Sequence, residues 1–265
     1  MSLVNDLWTY RGLVGNLAQR ELKARYKRSV LGWLWSLLNP AATLATYAIV
    51  FGVLFNSKIE HAKGEFNNFT MYLFAGLVVW NFFSAVVNGS MGSLIAAGPL
   101  LKKVNFPAEC APAANMIVAL SQALIESSIL VLVMAILGNV GWTMLFVPVL
   151  LFLVGVFAFG IGLALSVANV YLRDIAYLVA VLMNLMFYAT PIVYPESILK
   201  SHPTIKTLVN LNPMHQFVKA MRSTVYYLRV PDGANLLILL VISVGSFVLG
   251  WFVFRRFGDD VSEAL

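Results

Sequence analysis

Glu126 is the one ionisable residue deep inside a long apolar run of this sequence. It lies fifteen positions past Ala111, about 22 Å along a helix axis at about 1.5 Å per residue. That depth falls within a hydrocarbon core of about 30 Å. A carboxylate there is costly unless it is paired, hydrated or protonated. Ser121, Gln122, Ser127 and Ser128 make the same stretch locally polar. Two chemistries fit: a carboxylate beside a water-filled path, or one that hydrogen-bonds a neighbouring helix. A proton-driven transporter is expected to carry several such residues, and this chain carries one.

Reactive groups elsewhere are sparse. Cys110 is the single cysteine, which excludes an internal disulfide and argues against a thiolate metal site. Its expected role is that of a small buried side chain. His61, His202 and His215 are scattered, so no metal site is expected. Nothing matches G-x-x-x-x-G-K-S/T, so the chain has no loop of that kind to cradle ATP phosphates. Gly160-Ile161-Gly162 has no preceding strand and reads as close packing between helices. There is no Ser/His/Asp set and no H-E-x-x-H pair. The sequence predicts no enzymatic activity and no cofactor held by this chain itself.

The elements that carry these residues are set by composition. The chain of 265 residues is 60% hydrophobic and only 11% charged, whereas soluble domains are about half apolar and about a quarter charged. Its apolar runs predict an all-α membrane protein with six transmembrane helices, over residues 31–55, 71–94, 111–137, 142–171, 175–193 and 234–254. All belong to a single transmembrane domain over 1–265. The formal charge of +6 sits beside the apolar runs, where it sets topology and touches anionic lipid rather than nucleic acid. With six spans, both termini share a side, and that side holds eleven of the eighteen Lys and Arg residues. This predicts cytoplasmic termini. The apolar run that follows the basic N-terminal stretch is too long for a signal peptide, so none is expected.

Three connecting segments carry further patterns. Leu3, Leu7, Tyr10, Val14 and Leu17 recur at helical spacing, while Arg20, Lys23 and Lys27 form a basic face. Residues 1–30 are therefore expected to be an amphipathic helix on the cytoplasmic membrane surface, either a partner-docking element or a plain topology anchor. Residues 98–110 interleave Leu100, Leu101, Val104 and Phe106 with Lys102, Lys103 and Asn105. Gly98-Pro99 is expected to end the second helix. The piece reads as a docking knob or a tight connector. The long connection 194–233 contains apolar stretches too short to span, punctuated by Pro195, Pro203 and Pro213. It reads as short re-entrant half-helices in the outer leaflet or as a folded outer cap.

Aromatic side chains are abundant. Trp33 and Trp35 fit an interfacial belt. Tyr47, Phe51, Trp80, Phe82, Phe83, Tyr171 and Tyr188 lie deeper or are less easily explained that way. Such rings can stack on sugars, and they can equally pack against lipid or other helices.

Several segments together resemble a known family. Arg20-Glu21-Leu22-Lys23-Ala24-Arg25-Tyr26-Lys27-Arg28, followed by Ser29-Val30-Leu31-Gly32-Trp33-Leu34-Trp35 and Asn39-Pro40, resembles the start of ABC-2 type exporter permeases. Thr190-Pro191-Ile192-Val193-Tyr194-Pro195 and Leu211-Asn212-Pro213 resemble later signatures of the branch that exports O-antigen, teichoic acid and capsular polysaccharide. Residues 101–107 and Tyr171-Leu172-Arg173-Asp174 fall where the cytoplasmic connections of that branch fall. The resemblance covers essentially the whole chain.

The resemblance implies a permease of the bacterial cytoplasmic membrane that moves a polyprenyl-diphosphate-linked polysaccharide. A second copy of the chain would complete the channel. Two copies of a separate ATP-binding subunit, holding ATP and Mg, would dock on Arg20, Lys23, Lys27, Leu100, Lys102, Lys103 and Phe106. Tyr47, Phe51, Trp80, Phe83, Glu126 and Tyr188 would line the channel. Pro191, with Pro195, Asn212 and Pro213 of the segment 195–230, would form the outer gate, and Arg25 and Arg28 would meet the lipid headgroup. An ABC-2 exporter of drugs or small lipids, an ion-coupled secondary transporter and a non-transporting scaffold are the competing readings.

Overall fold

The computed structural model describes residues 7–27, 29–54, 67–104, 106–201 and 203–258. Every regular element among them is helical. The helices are α1 (Arg11–Tyr26), α2 (Trp35–Tyr47), α3 (Phe69–Leu101), α4 (Cys110–Ile136), α5 (Val147–Tyr171), α6 (Ile175–Ala189), α7 (Pro203–Leu211), α8 (Pro213–Val225) and α9 (Gly233–Phe257). Leu3, Arg28, Asn105 and the residues 55–66 lie outside the described residues.

Five helical stretches are long and apolar enough to cross a membrane: Gly32–Phe51, Phe69–Leu101, Cys110–Ile136, Trp142–Tyr171 and Gly233–Phe257. The expected span over 175–193 is shorter than that. Its helix α6 has 15 residues, about 22 Å against a hydrocarbon core of about 30 Å. It stops because Pro191 clashes with a helical Thr190, which adopts φ −99°, ψ 128° instead. The expected end of the second span at Gly98-Pro99 is corrected in the other direction. Helix α3 runs through Pro99 to Leu101, because Pro99 forfeits only the one amide bond it would make to Ile95, inside the last turn.

Helix α3 is the centre of the bundle. Its 33 residues make a rod of about 50 Å, packed against α4 and α5. Leu73, Val78, Val86 and Leu94 are fully buried along it. Helix α9 packs closely on α5. There Ser243 donates to the Leu153 carbonyl and Ser246 to the Phe157 carbonyl, each at 2.9 Å. Helix α6 buries Val179 and Met183, packs Met186 and Phe187 against the core, and leaves Val181, Leu182 and Leu185 outward. That outward surface is apolar, as a lipid-facing surface must be.

Short connections alternate the direction of α3, α4 and α5. The hydroxyl of Tyr171, at the end of α5, donates to the carbonyl of Phe257, at the end of α9. The turn after α3, the turn after α5 and the end of α9 therefore share one end of the bundle, and Lys102, Lys103, Arg173, Arg255 and Arg256 gather there. Helix α1 joins that end by burying Val14 and Ala18 against the core. The turn into α2 uses Gly32 at φ +50°, a left-handed conformation that favours glycine.

Candidate functional site

Pro40 opens the polar centre of the protein. It stands inside α2, and without an N–H it cannot bond the Ser36 carbonyl one turn earlier. Gln122 of α4 supplies the missing donor, its Nε2 lying 3.2 Å from that carbonyl. The same nitrogen faces Glu126 Oε1 at 3.5 Å, and Asn81 of α3 donates to Glu126 Oε2 at 3.2 Å. Glu126 is thus 8% exposed and bonded to two amides. No Lys or Arg forms an ion pair with it among the described residues. Ser36, Gln122, Glu126 and Asn81 form one chain of contacts across three helices. Sequence reading found Glu126 and Gln122. It missed Ser36 and Asn81, although an asparagine inside the apolar α3 was a visible signal.

Beside this network lies an open pocket of about 390 Å³ lined by Arg25, Trp35, Ser36, Asn39 and Gln122. Arg25 pairs loosely with Glu21 at 3.6 Å, both side chains being partly exposed. A second cavity, about 410 Å³, separates α1 from α3 and α4 and brings Arg20 to Leu100. Lys23 is exposed on α1 and Lys27 just after it, and Lys102 and Lys103 are exposed in the turn after α3. Phe106 is buried in the core at 7% exposure, so it anchors this turn rather than offering a free surface.

At the opposite end the two proline signatures meet. Asn212 accepts from the Met214 amide at 3.0 Å, which caps α8, and donates to Thr190 Oγ1 at 2.8 Å. Thr190 in turn donates to the Met186 carbonyl at 2.8 Å, one turn back in α6. Pro191 is buried, Pro195 is half-buried, and Pro213 starts α8. Asn212→Ala is expected to lower stability by about 1–2 kcal/mol, read from thermal unfolding in detergent. Asn212→Asp keeps the cap and is expected to lose less than half as much. An alanine variant that melts like wild type would remove this bond from the account.

Arg222 is one of the seven Lys and Arg residues that the charge pattern sets on the side opposite the termini, and it is 1% exposed. Its guanidinium donates to the carbonyls of Tyr72 (3.1 Å), Pro191 (2.7 Å) and Ile192 (3.0 Å). It also lies 3.6 Å from the centroid of the Tyr72 ring. It therefore fastens α8 to α3 and to the bend after α6. The last carbonyls of α8 find partners in the α4–α5 connection, where Asn139 donates to those of Val225 and Tyr226 and Thr143 to that of Thr224. His215 is buried, with Nδ1 4.0 Å from a Glu196 oxygen and no hydrogen-bond partner. Burial holds its imidazole below the ordinary value, Glu196 acts against that, and Lys219 and Arg222 add to it.

The aromatic candidates divide. Tyr47 lies 6.0 Å from Phe51, and Phe51 lies 5.2 Å from Phe69, ring centre to ring centre. Both Tyr47 and Phe51 are half-buried. Trp80 and Phe83 are buried within this chain, against Phe187 and Phe157, and present no open face. Tyr188 is 64% exposed on α6.

Comparison with known proteins bears on this geometry. The ABC-2 type transporter family matches residues 13–226. The chain is 34% identical over 264 residues to the O-antigen export system permease protein RfbA of Myxococcus xanthus, covering 99% of each. It is 27% identical over 209 residues to RfbA of Klebsiella pneumoniae, covering 78% of this chain and 77% of that one. To the polysialic acid transport protein KpsM of Escherichia coli it is 24% identical over 246 residues, covering 89% of this chain and 90% of the other.

Proposed function

The chain belongs to the ABC-2 type transporter family, and from that premise we propose that it is the permease subunit of an ATP-driven polysaccharide exporter. The observation that carries this is its end-to-end likeness to an O-antigen export permease. The cargo is a cell-envelope glycan on a polyprenyl diphosphate. ATP is hydrolysed by a separate subunit, present in two copies with ATP and Mg, and a second copy of the chain completes the channel.

The bundle sits in the bacterial cytoplasmic membrane with its basic end inward, and both termini are cytoplasmic. Six crossings arise when α6 spans together with the bend at 190–194. Helices α7 and α8 form the outer gate around Asn212 and Pro213. The half-buried or exposed rings of Tyr47, Phe51 and Tyr188 face the path of the glycan. Arg25 and Arg28 meet the anionic headgroup. Helix α1 and the turn at Lys102 and Lys103 receive the ATP-binding subunit.

That docking role has a direct test. Lys102→Glu together with Lys103→Glu is expected to reduce export about tenfold, a loss of about 1.4 kcal/mol in coupling. Both side chains are exposed, so folding is spared. ATP hydrolysis by the partner should continue, uncoupled from export. Full export in the double variant would sink the docking role. A chain purified in mild detergent without any ATP-binding partner would sink the exporter reading itself.

A further inference from the structure

The pocket beside α1, α2 and α4 is built from side chains that lipid tails cannot satisfy. Asn39 is exposed on the apolar helix α2. Its amide bonds to nothing among the described residues. Unpaired amides are costly against hydrocarbon, so this face meets water or a polar ligand.

Gln122 is more constrained. Its Nε2 stands between two acceptors, the Ser36 carbonyl and the Glu126 carboxylate. The reversed amide would set oxygen against oxygen at both, so the orientation is fixed. Both hydrogens are directed to protein acceptors, so Oε1 is the atom of this lining residue left to accept from a ligand. Glu126 does not line the pocket. It stands behind Gln122, itself held by Asn81.

The other walls complete a recognisable chemistry. Trp35 is 42% exposed and offers a ring face of the kind that packs on the C–H face of a sugar. Arg25 brings one guanidinium to the mouth, and its partner Glu21 is weakly held at 3.6 Å. A guanidinium matches a phosphate. The volume of about 390 Å³ lies in the range of about 300–1,000 Å³ typical of small-ligand sites. That suits one sugar with its phosphate, not a long glycan.

We propose that this pocket receives the first sugar of the lipid-linked glycan together with its phosphate. Arg25 takes the phosphate, Trp35 covers the ring, and Asn39 and Gln122 read the hydroxyls. Glu126 and Asn81 are positioning residues that hold the Gln122 amide. The assignment rests on the export reading above. It also moves Glu126 from the wall of the path to the support behind it.

The test uses the chain with its ATP-binding subunit in lipid nanodiscs and three probes. These are a polyprenyl diphosphate bearing one hexose, the same polyprenyl diphosphate without sugar, and phosphatidylglycerol. Binding isotherms and probe-stimulated ATP hydrolysis are measured. Asn39→Ala and Gln122→Ala are expected to raise the half-saturating concentration of the hexose probe about tenfold, the loss of one or two hydrogen bonds. They should shift the sugar-free probe far less than the hexose probe. Arg25→Ala should weaken both polyprenyl probes. Glu126→Gln, which keeps an acceptor for the amides, should shift the hexose probe less than Glu126→Leu.

An Asn39→Ala isotherm identical to wild type overturns the pocket assignment. That side chain is exposed, so misfolding does not confuse the result. An equal shift for both polyprenyl probes overturns it too, as does displacement of the hexose probe by equimolar phosphatidylglycerol, which would make the pocket a membrane-lipid site. If neither polyprenyl probe binds the wild-type complex, the export reading falls first.

Discussion

Arg222→Ala is expected to cost at least about 3 kcal/mol of stability, since it strands three carbonyls that the guanidinium now satisfies and each buried, unpaired group costs about 1–3 kcal/mol. The site is 1% exposed, so water cannot easily replace the donors. Arg222→Lys is expected to recover less than half of the loss. A single ammonium cannot span the carbonyls of Tyr72, Pro191 and Ile192 as a planar fork does, nor lie flat on the Tyr72 ring. Arg222→Met keeps most of the volume but no donor, so it separates lost hydrogen bonding from lost packing. The readout is thermal unfolding of the purified chain in one detergent, with export measured in parallel because the bend after α6 loses its anchor. An unchanged melting temperature in the alanine variant would mean that the carbonyls find other donors and that the staple is dispensable.

The second large effect is expected where α5 crosses α9. A Cβ added at Gly250 would land on the Gly160 carbonyl oxygen, and one at Gly160 would meet the Ser246 carbonyl and, at 2.6 Å, the Phe247 nitrogen. These obstacles are backbone, so no rotamer change relieves them. Gly250→Ala must push the helices apart and loosen the Ser243 and Ser246 bonds to α5. The expected cost is about 3 kcal/mol, the upper part of the usual range for overpacking. Gly245→Ala, five positions earlier on α9, meets nothing within 4 Å. It should be neutral or stabilising by up to about 1 kcal/mol, which makes it the matched control. Gly160→Ala with Gly250→Ala should cost less than the two single changes added together, because one separation accommodates both methyl groups. Equal melting temperatures for Gly250→Ala and Gly245→Ala would show that the crossing is looser than this.

The likeness between Thr190-Pro191 and Asn212-Pro213 as turn signals was visible in the chain, but their contact was not. Twenty-two residues separate Thr190 from Asn212, and nothing local records that the two side chains bond. The same holds for Gln122 and the Ser36 carbonyl, 86 positions apart. Pro40 leaves the Ser36 carbonyl without its helical donor, and nothing local says which side chain fills the place.

The sequence by itself determined the helical class, the presence of several helices apolar enough to cross a membrane, and the small-residue packing at Gly160. These are local: a helix in lipid must satisfy its own backbone, so length, hydropathy and proline position are enough to place it. Only the tertiary structure decided that Arg222 is a buried staple and that Phe106, Trp80 and Phe83 belong to the core. It alone placed Glu126 behind Gln122. The physical reason is that in a membrane the packed face and the lipid face of a helix are equally apolar. Hydropathy carries no contrast between them, and packing is settled by shape and by hydrogen bonds between residues far apart in the chain.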